Sequence, residues 1–138
     1  MQQLRAHHVG VTVSDLDRVV DFYEGLGLDC TTRFSVGGEA FSTAVGVEGA
    51  SADFAHLDAD GVRIELVEYS PEAAAVDSGQ VNRPGTAHIG LAVDDLDAFY
   101  DALPDTVETR SSPQRTESGT KILFLTDPEG NLVEVLEA

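Results

Sequence analysis

The stretch His8-Val9-Gly10-Val11-Thr12-Val13-Ser14-Asp15-Leu16-Asp17 recurs 80 residues further on as His88-Ile89-Gly90-Leu91-Ala92-Val93-Asp94-Asp95-Leu96-Asp97. Six of the ten positions are identical, and two of the other four exchange one aliphatic residue for another. A repeat at this spacing makes each copy a supersecondary unit and the chain a tandem of two. The likeness continues beyond the quoted stretch. Leu16, Val19, Val20 and Tyr23 fall at i, i+3, i+4 and i+7, as do Leu96, Phe99, Tyr100 and Leu103, the spacing of a helix's apolar stripe. Ser14 and Asp94 stand where an N-cap oxygen would take up the first free amides. Gly25 and Gly27 end the first helix, and Pro104 ends the second.

A second matched pair closes each half. Asp60-Gly61-Val62-Arg63-Ile64-Glu65-Leu66-Val67-Glu68 aligns with Glu129-Gly130-Asn131-Leu132-Val133-Glu134-Val135-Leu136-Glu137. Each begins with an acid-Gly turn and runs into a strand rich in branched residues. Between helix and closing strand each half has room for two more strands, at 29–36 and 52–57 in the first and at 107–111 and 121–126 in the second. The expected fold is therefore α+β, with two tandem βαβββ modules. Residues 1–138 make a single domain, with module one at about 4–69, a linker at 70–86 and module two at about 87–138. The linker is punctuated by Pro71, Gly79, Pro84 and Gly85. His8 to Glu65 spans 57 residues and His88 to Glu134 spans 46. The 11 additional residues of the first half fall at 37–49, where glycines flank room for a short helix.

Composition excludes several function classes. In 138 residues, 25 Asp+Glu against 8 Lys+Arg leave a formal charge of −17. No basic face for nucleic acid or anionic lipid can be assembled from that balance. Such acidity favours solubility and self-repulsion that salt screens, as in halophilic proteins. The lone Cys30 cannot close an internal disulfide, which fits a reducing compartment. No apolar run reaches the roughly 18–20 residues of a membrane span. Met1-Gln2-Gln3-Leu4-Arg5 lacks a signal peptide's apolar stretch, so a cytoplasmic location is expected.

Strand alternation sorts the repeats into faces. Val9, Val11 and Val13 point one way and His8, Gly10 and Thr12 the other; Ile89, Leu91 and Val93 likewise oppose His88, Gly90 and Ala92. The aliphatic faces should meet the helices, together with Ile64, Leu66, Val133 and Val135. Glu65 and Glu134 then share the histidines' side. A strand histidine taken alone is more often a hydrogen-bonded core residue than a ligand, and a glutamate in so acidic a chain is usually just solvated. Repetition of both types in one register is what singles these four out. Two imidazoles and two carboxylates suit one divalent ion, Zn, Ni, Co, Mn or Fe, so His8, Glu65, His88 and Glu134 are the expected metal ligands. His7 is expected to be structural or exposed, on the opposite face from His8. His56 is left as a cleft or surface residue, and Cys30 as a small core or edge residue. Glu68 and Glu137 are expected near strand ends in solvent. Beside Pro113, Arg115 and Lys121 offer scarce positive charge for an anionic substrate, or else offset neighbouring acids.

At these residues the sequence resembles the vicinal-oxygen-chelate superfamily, which includes glyoxalase I, methylmalonyl-CoA epimerase, extradiol dioxygenases and the fosfomycin- and bleomycin-resistance proteins. The carriers are His8-Val9-Gly10, Asp15-Leu16, Phe22-Tyr23 with Leu26-Gly27, Ile64-Glu65-Leu66, His88-Ile89-Gly90, and Asp127-Pro128-Glu129-Gly130-Asn131 leading to Glu134. The four-ligand set resembles the glyoxalase and epimerase branch, which implies that the two modules form a curved mixed sheet around a metal cleft. The resemblance implies a divalent-metal-dependent lyase or isomerase that shifts a proton next to a chelated carbonyl through an enediolate, on a small-molecule carbonyl substrate. Glu134, then Glu65, is the expected catalytic base. It also implies a homodimer. Two other classes stay open: an Fe(II) extradiol-type dioxygenase, and a non-catalytic protein that binds a small molecule such as an antibiotic. The chain departs from glyoxalase I at Thr12 and at Pro84, where arginines stand in that enzyme, which argues against glutathione as thiol partner. It departs from the epimerases at Ala87, where a histidine commonly precedes the second ligand histidine.

Overall fold

The computed structural model describes residues 1–76 and 80–138. Within the expected linker, residues 77–79, Gly79 among them, lie outside those described. The chain divides into two compact units, Met1–Ala75 and Val76–Ala138. Each holds one four-stranded mixed sheet, so the architecture is α+β in two tandem modules.

The first unit runs β1 (Val9–Thr12), α1 (Leu16–Gly25), β2 (Asp29–Val36), α2 (Glu39–Val45), β3 (Ser51–Asp58) and β4 (Arg63–Ser70). The strand order is β1-β4-β3-β2. β1 and β4 are parallel, with Gly10 opposite Glu65, and the other pairs are antiparallel. α1 buries the stripe read from its spacing, Leu16, Val19, Val20 and Tyr23. That stripe shares the core with Ala55, Leu57, Ile64 and Leu66, all buried. Alternation puts the neighbours Phe54, His56, Glu65 and Val67 on the opposite face of the sheet. The glycine-flanked insertion holds the short helix α2.

The second unit repeats the plan with β5 (His88–Ala92), α3 (Leu96–Ala102), β6 (Gln114–Arg115), β7 (Lys121–Thr126) and β8 (Leu132–Glu137). Its order is β5-β8-β7-β6, and Gly90 stands opposite Glu134. Leu96, Leu123, Leu125, Val133 and Val135 are buried. α3 is only seven residues long. It stops before Leu103, which is extended (ψ 137°) because the following Pro104 disfavours helical geometry at that residue.

Three local expectations are corrected. The N-caps are Asp15 and Asp95, not Ser14 and Asp94. Each has extended backbone, and each carboxylate accepts from the amide three residues on, that of Arg18 at 3.2 Å and of Ala98 at 3.0 Å. The strand expected at 107–111 shrinks to a bridge between Thr109 and Leu125, and regular pairing resumes only at Gln114–Arg115. Ser111, Ser112 and Pro113 intervene; the Ser111 hydroxyl bonds locally to the Ser112 carbonyl, and Pro113 has no N–H to give a ladder. Glu68 and Glu137 are not idle in solvent. Glu68 Oε1 accepts from the Leu16 amide and Glu137 Oε1 from the Leu96 amide, each at 2.9 Å. They occupy the helix N-termini because amides there lack an intrahelical acceptor.

Candidate metal centre

The site residues belong to the sheet faces turned away from α1 and α3. In the first unit His8 lies just ahead of β1, and its Nε2 is 3.4 Å from Glu65 Oε1. In the second unit His88 opens β5, and its Nε2 is 3.4 Å from Glu134 Oε1. Both imidazoles are 38% exposed, whereas the carboxylates are 13% and 19% exposed. The repeated sequence therefore yields a repeated geometry of half-open imidazole beside sheltered carboxylate. Small residues next to each glutamate keep the space open. A Cβ built on Gly90 would meet nothing within 4 Å, and one on Gly10 only His8 Cδ2 at 3.9 Å.

The separation bears on what the pairs can hold. Charge-assisted N–H···O bonds close to about 2.7–2.9 Å, and these pairs stand further apart. Two donors each about 2.1 Å from one ion lie about 3.0 Å apart at a right angle and about 3.4 Å apart at the tetrahedral angle. Each pair thus fits two adjacent positions around a divalent ion. Among the described residues, no group of three or more His, Cys, Asp or Glu side chains is placed to hold a metal ion. Each unit holds an imidazole–carboxylate pair.

The surroundings of the two pairs differ. In the first unit the hairpin register places His56 directly across from Glu65. His56 Nε2 lies 2.7 Å from Glu65 Oε2, and the histidine is buried. Phe34 packs edge-on against the His56 ring at 5.1 Å. His7 Nδ1 is 2.8 Å from His8 Nδ1 while its ring stands exposed. Metal-binding imidazoles commonly hydrogen-bond through their second nitrogen, which fixes the ring. In the second unit the residue across from Glu134 is Phe124, whose ring meets His88 edge-on at 5.2 Å. His56 is the site residue that sequence reasoning missed.

Lys121, Arg115 and Arg33 are engaged away from the imidazole–carboxylate pairs. Lys121 pairs with Asp97, and that hydrogen bond, with the charge of Asp97, raises the ammonium's pKa above its ordinary value. Arg115 Nη1 donates to the Gly119 carbonyl at 2.7 Å. Arg33 pairs with Asp17, the counterpart of Asp97 in the repeat, and its guanidinium is shifted upward by that hydrogen bond. Of the two uses foreseen for Arg115 and Lys121, the structure supports local compensation of acids and turns.

The profile of the Glyoxalase/Bleomycin resistance protein/Dioxygenase superfamily matches residues 5–135. The chain belongs to that superfamily. Its structure is similar to a glyoxalase family protein from Bacillus cereus, with 25% identity and a TM-score of 0.87 over 99% of this chain and 95% of that one. A glyoxalase/bleomycin resistance protein/dioxygenase domain from Frankia sp. follows at 22% identity and TM-score 0.68, over 99% and 93% of the two chains. A variant of glyoxalase I from Zea mays matches at 21% and 0.64, with 95% of this chain covering 43% of that one. No curated protein matches the sequence. Among the described residues, no helix is long and apolar enough to cross a membrane.

Proposed function

We propose that the protein is a divalent-metal-dependent lyase or isomerase of the glyoxalase-like type, acting on a small carbonyl compound. His8, Glu65, His88 and Glu134 would hold the ion, two ligands from each module. The observation that carries this is the equal 3.4 Å spacing of imidazole nitrogen and carboxylate oxygen in both repeats. A bound divalent ion supplies Lewis acidity, drawing charge from a substrate carbonyl and making the neighbouring C–H more acidic. Glu134 is assigned as the base. It removes that proton with one carboxylate oxygen and returns it to an adjacent carbon or to the opposite face. His88 orients Glu134 from one side, and Phe124 across the strand gives it an apolar neighbour. The assignment extends to a cytoplasmic homodimer, on family likeness alone. Sedimentation equilibrium checks the assembly, which should have about twice the 14.7 kDa chain mass.

The test begins with elemental analysis of the purified protein. About one Zn, Ni, Co or Mn per chain supports the assignment. Iron with oxygen uptake on a catechol replaces it with dioxygenase chemistry, and a metal-free protein that takes up no added ion removes it. Turnover is then screened with 2-oxoaldehyde–thiol adducts and acyl-CoA thioesters in D₂O. Solvent deuterium should enter the product next to the carbonyl.

A further inference from the structure

The two modules are near-copies in sequence, yet the residue opposite the candidate ligand glutamate is histidine in one and phenylalanine in the other. In the first, Glu65 is engaged through both oxygens: Oε1 faces His8 at 3.4 Å and Oε2 meets His56 at 2.7 Å. A carboxylate only accepts, so His56 Nε2 carries the hydrogen and donates it. His56 is itself held, buried in β3 with Phe34 against its ring. In the second, Glu134 Oε1 faces His88 at 3.4 Å, and among the described residues no hydrogen-bond donor is seen on its other oxygen. The position that would supply one is Phe124, which offers no polar atom.

We infer that His56 is a positioning residue that pins the Glu65 carboxylate, so that two glutamates equivalent by repeat take different roles. Glu65 is the fixed ligand, and Glu134 is the carboxylate able to turn away and accept a proton. The inference deepens the proposed metal-dependent function and rests on it. Its physical content is rotational freedom. Turning Glu65 about its terminal torsion sacrifices a short buried hydrogen bond to an imidazole. Turning Glu134 sacrifices no comparable bond. Removing a hydrogen-bonding partner of a metal ligand typically weakens metal affinity by about 10–100-fold. That sets the size of effect to look for.

The experiment is titration of the metal-stripped full chain with Co²⁺, read by the visible absorption of the bound ion and independent of turnover. Wild-type protein that binds no Co²⁺ overturns the metal reading itself and, with it, this inference. If wild type binds, His56→Phe, which copies the residue found at position 124, should weaken Co²⁺ binding by about tenfold or more. His56→Gln, which keeps an N–H donor, should stay within about threefold of wild type. Equal affinities for all three overturn the inference, as does an equal loss in both variants, since that marks packing rather than the hydrogen bond. Phe124→His is the converse and does not depend on the first unit's tolerance of change. Tethering Glu134 should leave Co²⁺ bound at least as tightly while kcat falls and KM holds. An unchanged kcat, or weaker Co²⁺ binding, in this variant counts against the division of roles.

Discussion

Glu68 Oε1 accepts a hydrogen bond from the backbone amide of Leu16 at 2.9 Å, joining the end of β4 to the first turn of α1 across 52 residues of sequence. The same bond is made by Glu137 to Leu96 in the second unit. Each helix therefore has two carboxylate acceptors at its start, the aspartate of its own N-cap and a glutamate from the parallel partner of the strand before it. The pair neutralises amides that no helical carbonyl can reach and sets negative charge at the positive end of the helix dipole. It also fixes the helix over the strand that carries the proposed ligand glutamate three residues earlier.

Glu68→Ala should accordingly lower unfolding free energy by about 1.5–3 kcal/mol, the range for a hydrogen bond to a charged acceptor. Glu68→Gln, which keeps one oxygen acceptor, should recover about half of that. Urea denaturation followed by far-ultraviolet circular dichroism measures both. Equal losses in the two variants would show that charge, not hydrogen bonding, carries the effect. Glu137→Ala should do the same in the second unit, with a larger fractional effect because α3 has only seven residues.

These glutamates also show where sequence reading stopped. The pairing of Glu65 with His8 and of Glu134 with His88 was legible because strand alternation put them on one face, and a repeat supplied the same assignment twice. Glu68 and Glu137 repeat just as faithfully, but alternation alone does not say that a strand end meets a helix start. The partner amide is set by the parallel β1·β4 and β5·β8 pairings, which bring residues 52 and 41 apart into contact. His56 was missed for a different reason. It has no histidine counterpart in the second half, so the repeat gave it no weight. A signal did exist: counting outward from the turn at Asp60-Gly61, the hairpin register sets His56 against Glu65. The strand at 107–111 keeps ladder bonds only at Glu108 and Arg110 around the Thr109–Leu125 bridge, and beyond it Ser111, Ser112 and Pro113 favour local turns.

Charge predicts a salt response. A formal charge of −17 on 138 residues opposes compaction at low ionic strength. The screening length falls from about 10 Å at 0.1 M salt to about 3 Å at 1 M. The repulsion weakens much more than the few surface pairs such as Arg33–Asp17 and Lys121–Asp97, which contribute little in any case. The melting temperature should therefore rise by roughly 3–8 °C between 0.05 and 1 M NaCl, equivalent to about 1–2 kcal/mol for a chain of this size. Differential scanning calorimetry reads it. A flat or falling trend would show that ion pairs, not net repulsion, dominate the electrostatics.

Substitution of the two proposed ligand glutamates tests their separate roles. Glu134→Gln should abolish detectable turnover, since an amide cannot take up the proton, while Co²⁺ binding weakens only moderately because an oxygen donor remains. Glu65→Gln should reverse the emphasis. With its second oxygen replaced by an amide, the group presents a donor to His56 Nε2 or turns its only oxygen away from His8. The larger loss should thus fall on metal affinity, by about 10–100-fold. Both variants should keep wild-type circular dichroism. Identical profiles in binding and turnover would remove the distinction between the two carboxylates.

Asp127 links stability to the site. It is buried at 4% exposure, and Oδ1 accepts from the Glu129 and Asn131 amides at 2.9 Å each while Oδ2 accepts from Asn131 Nδ2 at 3.0 Å. This carboxylate shapes the turn at 127–131, in which Gly130 takes φ +84°, a region that side chains resist. The turn sets the register of β7 against β8, and hence which residue faces Glu134. Asp127→Ala strips acceptors from two backbone amides and should lower stability by about 2–4 kcal/mol. Asp127→Asn keeps one oxygen for the backbone amides but turns an NH₂ towards Asn131 Nδ2, so an intermediate loss is expected. If the turn also sets the site, the aspartate variants should weaken Co²⁺ binding in the same order. Hydrogen exchange at the β7 and β8 amides should accelerate alongside. Destabilisation without any change in metal affinity would mean that the Glu134 side chain holds its position independently of the turn preceding its strand.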